Sequence, residues 1–167
     1  MGVDIHLRLC KYDPADNLWH ELKLYRKEKD KNEYKKIYLY EGRNSEMFGA
    51  MLNEEEDSYG HFPSASIPLL SLDEELKKEI EEDRKYCYGF NEVLLSDMEH
   101  YLYNHPTVID YDDGDWEDWE TGDPKPEKTN PIKYLFDSCC AYGEFAEGWS
   151  FGIDPYSRYK LLYWFDH

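Results

Sequence analysis

The sequence predicts an α+β fold in one domain over 1–167, a mainly antiparallel sheet that includes the N- and C-terminal strands, with three to four helices packed on it. Three observations carry this reading. Val3, Ile5, Leu7 and Leu9 alternate with Asp4, His6 and Arg8, the period-two pattern of a half-buried strand. Leu161-Leu162-Tyr163-Trp164-Phe165 is a bulky apolar run, as in a strand buried inside a sheet, and it is expected beside the first strand. Between them lie segments whose apolar residues recur at helical spacing.

Taken in order, Asp13-Pro14-Ala15-Asp16-Asn17 is a turn, and Leu18, Trp19, Leu22, Leu24 and Tyr25 follow it, so a β-hairpin is expected. A lysine-rich link from Arg26 to Lys36 leads to a third strand at Ile37-Tyr38-Leu39-Tyr40. Asn44 or Ser45 caps a short helix carrying Met47, Phe48, Met51 and Leu52. Residues 53–70 read as an acidic loop. Ser71 with Glu74 forms a capping box for a helix whose apolar face is Leu72, Leu76 and Ile80. Asn91 caps a third helix with the stripe Leu94, Met98, Tyr101 and Leu102, and a short strand is expected from Thr107 to Tyr111. Asn130-Pro131 starts a last helix that Gly143 ends. The helices are expected on one face of the sheet.

Charge is distributed unevenly. Residues 41–123 hold 24 acidic residues against five basic ones, whereas 1–40 carry a net +2 and 124–167 a net −1, within a total of −18. Residues 110–123 contain eight acids and no base, with tryptophan among them, and read as the core of an acidic surface loop at about 110–130. With 41% hydrophobic and 17% aromatic residues, the chain has enough apolar area to fold rather than to remain an acidic tail. Such a field repels nucleic acid and anionic membranes and attracts cations and basic proteins. No apolar run approaches the roughly 20 residues of a membrane span. No signal-like stretch follows Met1, and the four cysteines show no C-x-x-C spacing, so a reducing, cytoplasmic environment with buried or half-buried thiols is expected.

Met1-Gly2-Val3-Asp4-Ile5-His6, Gly42-Arg43-Asn44-x-x-x-Phe48 and Tyr163-Trp164-Phe165-Asp166 together resemble a family of small uncharacterised bacteriophage and prophage proteins. Its members typically begin Met-Gly-Cys-Asp-Ile-His and close on Trp-Phe-Asp. The likeness covers the two ends and one internal segment, and Val3 stands where the family usually has cysteine. It implies a phage or prophage origin, and no activity.

Two sets of residues carry candidate chemistry. Asp4 and His6 lie on one face of a strand and suit a divalent metal or a base with its orienter, with Glu99 and His100 as further ligands from a helix. On that reading the protein is a divalent-metal-dependent hydrolase. The bland alternative is a local polar pair at Asp4 and His6 with Glu99 and His100 solvated. The run Asp110-x-Asp112-Asp113-Gly114-Asp115 departs from an EF-hand, since its glycine is fifth rather than sixth and Thr121 replaces the twelfth-position glutamate. There is no phosphate-binding glycine loop and no G-x-S-x-G nucleophile motif.

The second set is the acidic middle: Glu54, Glu55, Glu56 and Asp57 in one loop, and Asp112, Asp113, Asp115, Trp116, Glu117, Asp118 and Trp119 in the other. Carboxylates interleaved with aromatic rings are the inverse of a nucleic-acid-binding pattern. They fit a non-enzymatic protein that occupies the cationic groove of a basic host or phage protein in place of phosphates, as an anti-defence nucleic-acid mimic does. Neither direct nucleic-acid binding nor a membrane is expected, and no cofactor beyond a divalent metal. A structural or accessory virion protein is the third class, since aromatic-rich surfaces also make oligomers. Acidity that serves only to keep the chain in solution is the plain alternative.

Overall fold

Asp4–Asp13 forms the first strand, β1, with Ile5, Leu7 and Leu9 buried as the alternation predicts. The computed structural model describes residues 3–40, 43–53, 60–105, 130–149 and 155–166. After β1 come β2 (Leu18–Glu21), β3 (Leu24–Lys27), β4 (Tyr34–Ile37), α1 (Ser45–Met51) and β5 (Ala65–Ser66). Then follow α2 (Glu74–Asp83), β6 (Cys87–Leu94), α3 (Leu95–Asn104), α4 (Ile132–Glu147) and β7 (Tyr159–Asp166). Five strands form one antiparallel sheet in the order β2-β1-β7-β6-β5. The N- and C-terminal strands lie side by side at its centre, with Asp4 opposite Asp166 and Lys11 opposite Tyr159.

β7 is buried from Tyr159 to Phe165, because both faces of the sheet are covered. On the first face Ile5, Leu7, Leu9, Leu161, Tyr163 and Phe165 join a core with α1, α3 and α4. On the second face Cys10, Leu162 and Trp164 pack against Leu76 and Ile80 of α2. The expectation that all helices share one face is therefore corrected. An apolar Leu162 and Trp164 on the reverse side of β7 need a cover, and α2 supplies it.

Other departures have local causes. The third strand runs Tyr34–Ile37 rather than 37–40 and pairs with β3 as a separate ribbon, with Lys35 exposed and Lys36 half-buried. Asn91 is not a helix cap: it lies in β6 opposite Tyr163, and α3 starts at Leu95 without a side-chain cap. The pairing of β6 with β7 shifts between Tyr88 and Asn91, and Gly89 takes φ +68° at this bulge. α2 is capped by Asp73, whose Oδ1 accepts from the Leu76 amide at 2.8 Å, while the Ser71 hydroxyl donates to the Pro68 carbonyl. Asn44 caps α1 as expected, accepting from the Met47 amide. α4 continues through Gly143 and ends at Gly148, which is left-handed at φ +70°. Gly143 instead lets the helix meet Trp149, since a Cβ there would fall 2.3 Å from the indole. The strand expected at Thr107–Tyr111 lies outside the described residues.

Candidate functional site

The second face of the sheet carries an ordered set of charges around α2. Arg8, on β1, is buried: its Nε donates to Glu79 Oε1 at 2.9 Å and its Nη1 to the Leu7 carbonyl at 2.9 Å. Glu21 on β2 lies 3.6 Å from Arg8 Nε and accepts from Lys36 Nζ at 2.6 Å. Further along, buried Lys160 lies 2.5 Å from Glu92 Oε2 in an ion contact without aligned hydrogen-bond geometry, with its Nζ 4.5 Å from the centre of the Trp19 ring. These groups are matched in sign, as buried charges must be.

Towards the start of β1 the same face opens into a cleft of about 470 Å³, whose walls include His6, Arg8, Tyr38, Tyr40 and Asp83. Register dictates what meets there. His6 lies opposite Trp164, Asp4 opposite Asp166, and Cys87 on β6 is also opposite Asp166, so three strands present His6, Asp166 and Cys87 on one face. The last residue of α2, Asp83, reaches the same corner, where its Oδ2 accepts a hydrogen bond from Trp164 Nε1 at 2.9 Å. Trp164 is the platform: His6 stacks on it at 5.7 Å between centroids and Phe90 at 5.6 Å, both nearly parallel, and the Arg8 guanidinium lies 5.4 Å from its ring centre.

His6 Nε2 is shielded from solvent and makes no hydrogen bond, its nearest ionic group being Asp166 Oδ2 at 3.6 Å. Ligating atoms of His6, Asp83 and Cys87 all lie within 4.8 Å of one another. Burial, followed by the charges of Asp83 and Asp166, raises the pKa of the Cys87 thiol.

Comparison of the chain with protein-family models, with curated proteins and with solved structures finds no match. Arg43 Nε donates to Asp4 Oδ1 at 2.8 Å, and His6 lies against Trp164 and Asp166.

The sequence-predicted metal set is therefore only partly assembled. Asp4 and His6 share a face, but the Asp4 carboxylate is engaged by Arg43, whose hydrogen bond holds its pKa below the usual value. Glu99 and His100 do not join His6. Leu95, Met98 and Tyr101 of α3 pack into the core on the first face, which leaves Glu99 and His100 exposed on that side, with His100 Nε2 3.0 Å from Asn104 on its own helix. Asp83, Cys87 and Asp166 were not among the predicted ligands. Strand register and a helix end bring them to His6, and no sequence spacing signals it. A second group, Asp13, Asp16 and His20, is also clustered. There both nitrogens of His20 face carboxylates, Asp16 at 2.7 Å and Asp73 at 3.0 Å, which makes it an ionic latch between the first hairpin and the cap of α2.

The predicted partner-binding residues, Glu54, Glu55, Glu56 and Asp57 with Asp112, Asp113, Asp115, Trp116, Glu117, Asp118 and Trp119, lie outside the described residues. The ends from which both segments depart are described, and they adjoin. Asn53 is tied to Phe62 by two hydrogen bonds, donating to its carbonyl at 2.9 Å and accepting from its amide at 2.6 Å. Gly60 is so close to His105 that a Cβ would fall 2.2 Å from the ring nitrogen, and Asn130 donates to the His105 carbonyl at 3.0 Å. No helix among the described residues is long and apolar enough to cross a membrane.

Proposed function

We propose that this protein is a binding protein of phage type, whose two acidic segments act together on a basic surface of a nucleic-acid-handling protein. The observation that supports this is the shared root of the segments. Residues 54–59 leave from Asn53 and return at Gly60, residues 106–129 leave from His105 and return at Asn130, and Gly60 and Asn130 both touch His105. Two runs of carboxylates far apart in sequence are thereby tethered to one corner of the fold. Concentrated charge of one sign steers and holds a complementary partner, and tryptophans such as Trp116 and Trp119 supply anchors of the kind that dominate interfaces. Residues 54–59 and 106–129 together carry −11 of the net charge of −18.

The test is capture of partners from host lysate by the tagged protein, at low and high salt, with charge reversal in one segment and then in both. Glu54→Lys/Glu55→Lys and Asp112→Lys/Asp113→Lys should each weaken capture of a basic partner. The four changes together should abolish it, and added salt should mimic them. Capture that is indifferent to all four reversals would sink the reading.

A further inference from the structure

We propose that the corner formed by His6, Asp83 and Cys87 is a site for a single zinc-class divalent ion, with Asp166 positioned as a fourth ligand. The site is independent of the acidic segments and of any partner they hold. Three of its ligands come from β1, the end of α2 and β6, and their donor atoms already lie within 4.8 Å of one another, while Asp166 comes from β7. A tetrahedral ion with bonds of about 2.0–2.3 Å needs ligand atoms about 3.3–3.8 Å apart, so modest side-chain movement closes the set. The 3.6 Å between His6 Nε2 and Asp166 Oδ2 is such a spacing without any movement.

Two further features point to an ion. His6 Nε2 is a buried polar atom with no hydrogen-bond partner, a state that costs free energy unless something fills it. The Asp83 carboxylate is oriented by Trp164 Nε1, and the His6 ring by stacking on Trp164, the outer-shell arrangement that holds metal ligands in place.

The donor set selects the class of ion. One imidazole, one thiol and carboxylates suit zinc or cobalt(II), whereas magnesium and calcium require oxygen ligands throughout. A Cys–His nucleophile is the competing chemistry for the same residues, and the charges argue against it. Cys87 lies beside two carboxylates, those of Asp83 and Asp166, whose negative charge a bound cation would balance. On binding, the Cys87 thiol gives its proton to solvent as the metal–sulfur bond forms, and no electron is transferred. The ion would lie beside the cleft that His6 and Asp83 line, within reach of a small ligand.

The experiment is titration of metal-free protein with zinc and with cobalt(II), followed by elemental analysis, melting temperature and the cobalt absorption spectrum. One ion per chain is expected, with a sulfur-to-cobalt charge-transfer band, a raised melting temperature and no response to magnesium. His6→Gln and Cys87→Ser, both half-buried positions that tolerate polar side chains, should each weaken zinc binding by at least about tenfold. Cys140→Ser and the charge-reversed acidic segments should leave binding unchanged. Absence of uptake at micromolar zinc, a cobalt spectrum without the sulfur band, or binding that survives Cys87→Ser would each overturn the proposal.

Discussion

Replacing Arg8 by methionine tests whether the second face of the sheet is held by charge or by packing. Methionine keeps the apolar stem against Trp164 and removes the guanidinium, so the change isolates the ionic part. Two carboxylates lose their partner. Glu79 is 29% exposed and can turn to water, but Glu21 is 7% exposed and keeps only Lys36. Breaking a buried pair by deleting one member costs about 3–5 kcal/mol. The exposure of Glu79 and the surviving Lys36 contact put Arg8→Met at the low end, about 3 kcal/mol. That corresponds to a fall of about 6–12 °C in melting temperature for a chain of this size. The assay is urea denaturation at pH 7 followed by tryptophan fluorescence, repeated in 1 M NaCl, where a buried pair keeps its effect and an exposed one loses it. Because the cost lies in an uncompensated carboxylate, Arg8→Met/Glu21→Gln should recover about 1 kcal/mol or more. A single variant within about 0.5 kcal/mol of the parent, or a double variant no better than the single, would refute the reasoning.

Two further predictions rest on local geometry. Burial lowers the pKa of His20, but its contacts with Asp16 and Asp73 outweigh that and raise it above the usual 6.5. Its contribution to stability is therefore complete below about pH 6.5 and is lost as pH rises through the folded-state value. An imidazole NMR titration should place His20 above a model histidine, and His20→Asn should flatten melting temperature against pH across that window; a His20 titrating at or below 6.5 would contradict this. Gly143→Ala drives a methyl into Trp149 and should cost about 1–3 kcal/mol with a changed near-UV circular dichroism signal. Gly148→Ala meets no atom within 4 Å and bears only the left-handed backbone cost of about 1 kcal/mol, with that signal intact. Equal losses with identical spectra would show that Gly143 is not a packing position.

What was legible in the sequence was whatever a single element expresses by itself. The alternation from Val3 to Leu9, the apolar run at Leu161–Phe165 and the Asn44 cap each appear as read. β6 was missed because the bulge at Gly89 interrupts its period of two, so that Asn91 passed for a helix cap. The second packed face was missed because the apolar side of α2 does not state which side of the sheet it will cover. The site follows the same division. Asp4 and His6 are two apart on one strand and were read as sharing a face, whereas Asp83, Cys87 and Asp166 reach His6 through register and a helix end.

The placing of β7 between β1 and β6 also governs how the fold is reached. Its pairing partners on β1 lie at the opposite end of the described chain, so the centre of the sheet depends on contacts of very high sequence separation. Such closure is entropically slow, and until it happens β1 and β6 each keep an unpaired inner edge. Open edges with apolar faces are the usual route to association between half-folded chains. A net charge of −18 makes such encounters repulsive, so the acidity that we assign to partner binding also works against association of half-folded chains.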